Sequence, residues 1–264
     1  MIKTCFRWAL IVAVASLVLL GGRLYASETD DRIESAAKQS YVFKKYLTAD
    51  DIKIQSRDGD VTLSGTVSDD ASRTLAQETV ASLPGVKSID NRLKIKGKSP
   101  EPYSDAWLIT KVKTALLFHR SVSASKTEVL ANKGIVTLRG EASSSAQMDL
   151  VTEYARDVEG VKDVKNEMTV SGVPVKSGET IFREKMGALG DSIDDASVTA
   201  LVITTLLYHR STSALNTKVS TKDGVVTLGG TAKNSAEKEL STKLVDDVRG
   251  VKQVVNNMTV TGAN

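Results

Sequence analysis

Cysteine is almost missing from this chain: Cys5 is the only one among 264 residues, and it sits near the N-terminus. Beyond it, disulfide staples, thiolate metal sites and cysteine nucleophiles are all excluded. Histidine is nearly as scarce, with two residues, too few for a histidine-rich metal centre. Four prolines and 5% aromatic residues rule out a proline-rich or aromatic-rich binding tract. Neither sign of charge dominates once the N-terminal 26 residues are set apart. Taking Lys3, Arg7 and Arg23 from 35 basic residues leaves 32, matching the 32 acidic ones. A chain so balanced lacks the basic footprint of a nucleic-acid binder. The longest apolar run, residues 9–20, stops at Gly21-Gly22-Arg23, short of the roughly 20 residues a spanning helix needs.

That run has a different use. Lys3 and Arg7 precede it, and Leu24-Tyr25-Ala26 follows as a cleavage site before Ser27. Residues 1–26 therefore read as a cleaved secretory signal, with an uncleaved anchor as the alternative. No cysteine follows the apolar run, so a lipid-modified N-terminus is not expected.

What fills the remainder is a threefold repeat. Gly59-Asp60-Val61-Thr62-Leu63-Ser64-Gly65 returns as Gly134-Ile135-Val136-Thr137-Leu138-Arg139-Gly140 and again as Gly224-Val225-Val226-Thr227-Leu228-Gly229-Gly230. The offsets of 75 and 90 residues hold downstream, where Gly85-Val86-Lys87 becomes Gly160-Val161-Lys162 and Gly250-Val251-Lys252. The repeats divide the chain into unit 1 (28–97), unit 2 (104–172) and unit 3 (192–262), with linkers at 98–103 and 173–191. Residues 181–186 in the second linker are expected to form a helical turn. Each unit is near the lower size limit for a self-sufficient core.

Every copy reads helix, strand, strand, helix, strand. Leu108, Val112, Ala115 and Leu116 share one face of the first helix in unit 2, as do Val198, Val202, Thr205 and Leu206 in unit 3. Unit 1 offers the weaker set Ile33, Ala37, Ser40 and Tyr41. Asp58-Gly59, Lys133-Gly134 and Asp223-Gly224 are tight hairpin turns, where glycine accepts positive φ. Gly65, Gly140 and Gly230 are expected to let a helix approach the sheet. Asp69, Ser144 and Asn234 are N-caps of the second helix, with Gln147 and Glu237 completing capping boxes. The apolar face of that helix is expected to hold Ala146, Leu150, Val151, Ala155 and Val158 in unit 2. Its unit 3 counterpart holds Ala236, Leu240, Val245 and Val248. On the last strand Asn91, Asn166 and Asn256 recur on the apolar side, where a side chain satisfying backbone groups is favoured over a ligand contact.

This combination of hairpin and Gly-Val…Asn strand, found three times at fixed separation, resembles the BON domain of bacterial envelope proteins, such as the OsmY-like periplasmic envelope-stress proteins. The resemblance covers nearly all of the chain after the signal. It implies an α+β fold of three tandem αββαβ domains, each a three-stranded mixed sheet with two helices packed on one face. It also implies a non-enzymatic periplasmic protein, peripheral to a membrane, that meets phospholipid surfaces and supports envelope integrity or osmotic-stress tolerance. A protein-interaction scaffold or holdase-like chaperone is the alternative.

No catalytic constellation, metal site or cofactor motif is legible. Paired acids such as Asp246-Asp247 are expected at solvent positions. His119-Arg120 and His209-Arg210 occupy equivalent helix ends, where cations meet the negative end of the macrodipole; unit 1 has Lys44-Lys45 there. The largest departure from the repeat is in the first helices: Lys111 and Lys113 of unit 2 become Leu201 and Ile203 in unit 3. A helix apolar almost all round must be covered, and the expected covers are another unit, self-association or lipid. Leu201, Ile203, Tyr208, His209 and Arg210, with Trp107, Phe118, His119 and Arg120, are the candidate contacts to anionic phospholipid or envelope proteins.

Overall fold

The computed structural model describes residues 28–97, 99–170, 193–212 and 214–261. The signal segment and the 181–186 turn lie outside the described residues. Unit 1 contains helix α1 (28–39), α2 (Tyr41–Lys45), β1 (Asp51–Arg57), β2 (Asp60–Val67), α3 (Asp70–Ala81) and β3 (Ser88–Ile95). Unit 2 contains α4 (Asp105–Leu117), β4 (Thr127–Asn132), β5 (Ile135–Ala142), α5 (Ser145–Arg156), β6 (Asp163–Asn166) and β7 (Thr169–Val170). Unit 3 repeats that order with α6 (Asp195–Tyr208), β8 (Thr217–Lys222), β9 (Val225–Ala232), α7 (Ser235–Asp246), β10 (Gln253–Asn256) and β11 (Thr259–Val260). The middle strand of each sheet pairs antiparallel with the strand before it and parallel with the strand after the crossover helix. This is the mixed αββαβ sheet with two helices on one face, three times over, except that in units 2 and 3 the last strand is split in two (β6 and β7, β10 and β11), both halves parallel to the same middle strand.

Local chemistry fixes the hairpins. Asp58, Lys133 and Asp223 have φ of 55°, 52° and 53°, and the following glycines 86°, 87° and 79°, the paired positive φ of a two-residue hairpin turn. Asp30 on α1 accepts from Asp58 N (2.7 Å) and Gly59 N (3.0 Å). Asp195 does the same for Asp223 and Gly224 (2.7 and 2.8 Å). Each turn is thereby tied to the first helix.

The strand glycines serve a different neighbour from the one the sequence suggests. A Cβ on Gly65, Gly140 or Gly230 would meet the carbonyl oxygen of Asp51, Lys126 or Asn216 at 2.0 Å. The close approach is thus to backbone at the start of the adjacent strand, and no helix is involved. The strand asparagines bind backbone and helix together. Asn166 Nδ2 donates to Met148 O and Thr152 Oγ1 (3.0 and 2.7 Å) while its Oδ1 accepts from Met168 N (2.9 Å). Asn256 makes the same three bonds to Lys238, Thr242 and Met258. In unit 1, Asn91 bonds Gln77 and Leu93.

The second helix and the residues just after it bury Val151, Ala155 and Val158, with Val245 and Val248 in unit 3, as expected, but Ala146, Leu150 and Ala236 are exposed and Tyr154 points inward instead. Tyr154 and its counterpart Leu244 take the inner positions because they face the neighbouring unit as well as their own sheet.

The first helix of unit 1 also differs from a single continuous element, breaking at Ser40. The break frees Tyr41 N to donate to Asp194 Oδ2 (2.8 Å) and Val42 N to Ser197 Oγ (3.0 Å), both in unit 3. Orphan donors at a helix start need such acceptors. Beside this junction α3 of unit 1 packs along α6, and one apolar cluster joins Leu75, Ala76 and Val80 of unit 1 to Val198, Leu201 and Val202 of unit 3.

Candidate functional site

The packing of α6 changes where the candidate residues stand. Ten consecutive or near-consecutive residues from Ala196 to Leu206 are buried on every side of this helix. Leu201 is 0% exposed and Ile203 partly buried. Leu201 lies within the apolar cluster that joins units 1 and 3, and its full burial leaves no surface for a lipid contact. Phe118 is likewise 0% exposed. Its ring meets Tyr46 of unit 1 edge-on, with centroids 5.6 Å apart, and its carbonyl accepts from Arg249 N of unit 3 (3.1 Å). Phe118 thus stands where all three units meet. Tyr208 and Trp107 are half-buried, with Lys111 Nζ 4.2 Å from the Tyr208 ring centroid and 5.3 Å from that of Trp107. Burial pushes the Lys111 ammonium below its ordinary value, opposed by Asp70, Asp69 and Glu159. Lys113 is exposed.

Units 2 and 3 meet about a local two-fold axis. His119 bridges Val248 and His209 bridges Val158 in short antiparallel contacts, pairs that exchange under the 90-residue offset. Arg120 N donates to Asp247 O (2.8 Å) and Arg210 N to Asp157 O (2.9 Å). Such reciprocity defines an isologous interface, here within one chain.

At its centre lie the two histidines, His119 0% and His209 2% exposed. Their Nε2 atoms are 3.2 Å apart. His209 Nδ1 lies 3.1 Å from Asp157 Oδ2, and His119 Nδ1 lies 3.3 Å from Asp247 Oδ2 at a poorer angle. Each histidine is therefore held by a carboxylate from the other unit. Ser121 and Ser211 hydroxyls donate to Asp247 and Asp157. Tyr154 stacks on His119 with centroids 3.8 Å apart and donates to Asp247 Oδ2 (2.8 Å).

The electrostatics follow this geometry. Burial lowers the His119 imidazole, as does the charge of His209, while Asp247 pulls it up. Burial alone would raise the Asp247 carboxyl, but donors from His119, Ser121 and Tyr154 together outweigh it and hold it below the usual range. Burial and the nearby Asp247 push the Tyr154 phenol upward, keeping it a donor.

The sequence reading of His119 and His209 as macrodipole cations is corrected accordingly: they are buried partners of each other and of carboxylates. Asp247, expected at a solvent position, is 8% exposed. Arg120 is half-buried and Arg210 exposed; each guanidinium reaches a backbone carbonyl of the opposite unit, Val251 or Val161. Asp157 and Asp247 escaped the sequence reading, yet a signal was present. Unit 1, which has Lys44 in place of histidine, has Ser82 at the aspartate position. Among the described residues no group of three or more His, Cys, Asp or Glu side chains could hold a metal ion. No helix among them is long and apolar enough to cross a membrane.

Comparison with known proteins fits the repeated fold. The BON domain family model matches residues 29–97, 104–172 and 194–262. Osmotically-inducible protein Y of Escherichia coli (strain K12) is 29% identical over 154 residues, 58% of this chain and 71% of that protein. A 21 kDa hemolysin of Actinobacillus pleuropneumoniae is 31% identical over 115 residues, 43% of this chain and 59% of its own. Outer membrane lipoprotein DolP of Haemophilus influenzae is 26% identical over 159 residues, 58% of this chain and 80% of that protein.

Proposed function

Because the chain belongs to the BON-domain family, we propose that it is a non-enzymatic envelope protein, exported to the periplasm by its N-terminal signal, that associates with phospholipid surfaces and supports envelope integrity under osmotic stress. The observation that carries this reading is the threefold family match across almost all described residues. Relatives named for osmotic induction and for the outer membrane support it.

The near-neutral charge of the chain beyond its signal argues against a purely electrostatic attachment, so a local apolar contact is needed beside basic residues. With Leu201 and Phe118 buried, the accessible candidate is the loop after α6. There Leu215 is 93% exposed, following the exposed Arg210 in sequence, and Leu207 in the last turn of α6 is 43% exposed. At the position of Leu215 unit 2 has Ser125, so Leu215→Ser is a conservative test within the repeat.

Co-sedimentation with vesicles containing anionic phospholipid is expected to pull down the wild-type protein. Leu215→Ser should weaken binding about tenfold or more, from the roughly 1.5–3 kcal/mol carried by one buried leucine. Wild-type protein remaining in the supernatant overturns the lipid reading. If that protein instead suppresses aggregation of unfolded clients, the holdase alternative takes its place.

A further inference from the structure

The paired histidines pose a proton-counting problem that the interface must solve. Four ring nitrogens make three contacts: one to Asp247, one to Asp157 and one between the two Nε2 atoms at 3.2 Å. Asp157 pairs with His209 Nδ1 at hydrogen-bond geometry, and although the angle at His119 Nδ1 is poor, a proton there is what suits the Asp247 carboxylate 3.3 Å away. If both rings are neutral and both protons sit on Nδ1, two bare Nε2 lone pairs face each other. If one neutral ring moves its proton to Nε2, its bare Nδ1 faces a carboxylate. Only three ring protons satisfy all three contacts, two on the Nδ1 atoms and one between the Nε2 atoms. A fourth cannot be accommodated. Two N–H bonds of about 1 Å pointing at each other across this gap would bring their hydrogens within van der Waals overlap.

We propose that units 2 and 3 are locked by a single proton shared between His119 and His209, and that acid opens this interface by adding a second. The charged and titratable groups around the pair are consistent with one positive charge there. Asp157, the residue that caps the C-terminus of α5, and Asp247, which caps that of α7, flank it, with Asp246 beyond. Arg120 and Arg210 lie on the far sides of the carboxylates, each with Nε 3.8 Å from an Asp oxygen. Arg249 adds a positive charge that opposes further protonation of His119, and Tyr154 covers its ring as a neutral donor. Opposed to this, the buried ring is unsolvated, so a second charge has no water to stabilise it.

The sign of the pH effect follows. Burial holds His119 below its ordinary value in the closed interface, whereas an opened, solvated histidine takes up protons near 6.5. Below that pH the open form binds more protons than the closed one, so closure weakens as pH falls. Unit 1 has no histidine to take part, since Lys44 stands at that position.

The chain contains only two histidines, so imidazole nitrogen spectra of the full chain resolve the pair unambiguously. Three ring protons are expected at pH 7. Amide protection at Arg120, Arg210 and Arg249, whose N–H groups all donate across the interface, should fall about sixfold between pH 7 and pH 5, the linkage expected when the closed pair holds three ring protons and two open histidines titrate near 6.5. Amides of β5 and β9 should keep their protection. The His119→Gln/His209→Gln variant retains a donor–acceptor pair without a titrating group, and its protection should not change over that range. Two ring protons at pH 7 overturn the shared-proton lock. So does protection that stays flat in the wild type or falls equally in the glutamine variant. If the variant fails to fold, the wild-type proton count and protection profile decide alone.

Discussion

Leu201→Lys should lower the stability of the third unit by about 3–5 kcal/mol, the scale for a charge left buried without a partner. Leu201 is fully enclosed, within the apolar cluster that α6 shares with unit 1. A lysine there would place its charge inside the apolar cluster shared by units 1 and 3. Ile203→Lys is the internal comparison, since Ile203 is only partly buried and a lysine stem can carry its charge outward. The unfolding midpoint in urea should drop by more than about 1 M for Leu201→Lys, given slopes of roughly 1–3 kcal/mol/M, and much less for Ile203→Lys. Equal, small shifts in both would mean that unit 1 does not cover this helix.

Phe118→Ala is the second substitution with a large expected effect, about 3–5 kcal/mol for a phenylalanine removed from a core. Its position makes the effect unusual. Although Phe118 belongs to unit 2 by sequence, its ring packs into the apolar cluster of units 1 and 3 and against Tyr46. The core of unit 2, built on Leu108, Val136, Leu138 and Val151, is a separate cluster. Truncation should therefore destabilise units 1 and 3 while leaving the local unfolding of unit 2 close to wild type. Chemical denaturation followed by amide exchange in β9 and β5 distinguishes these. A loss confined to β5 would contradict the three-way junction.

The repeat made the fold legible because it rests on short-range rules. Hairpin glycines, N-caps and alternating strands each reflect a local backbone requirement, and the three copies report it independently. Inter-unit packing depends on side chains brought together from 49 to 155 residues apart, and periodicity within one unit carries no record of that. Hence periodicity puts Leu150 inward, whereas Tyr154 and Leu244 take the inner positions next to the opposing unit. Ser40 likewise reads as a helix residue until Asp194 and Ser197 supply acceptors for the donors its break exposes.

The exceptions to the repeat were more informative than its constants. Leu201 and Ile203 replace lysines on the first helix against which α3 of unit 1 packs. His119 and His209 occur in the two units that face each other, and aspartates accompany them at positions 157 and 247, where unit 1 has Ser82. Histidine and aspartate change together between copies because each histidine is completed by the other copy's aspartate. That covariation inside one chain was the readable trace of the interface. A solvated reading of Asp246-Asp247 concealed it.

Calorimetric unfolding tests most directly whether units 1 and 3 are one body built around α6. If they share a core, they unfold in a single transition whose van't Hoff enthalpy is near 100 kcal/mol, from about 0.7 kcal/mol per residue over two units. Three transitions of about 50 kcal/mol each, the value for isolated units of this size, would contradict the shared core.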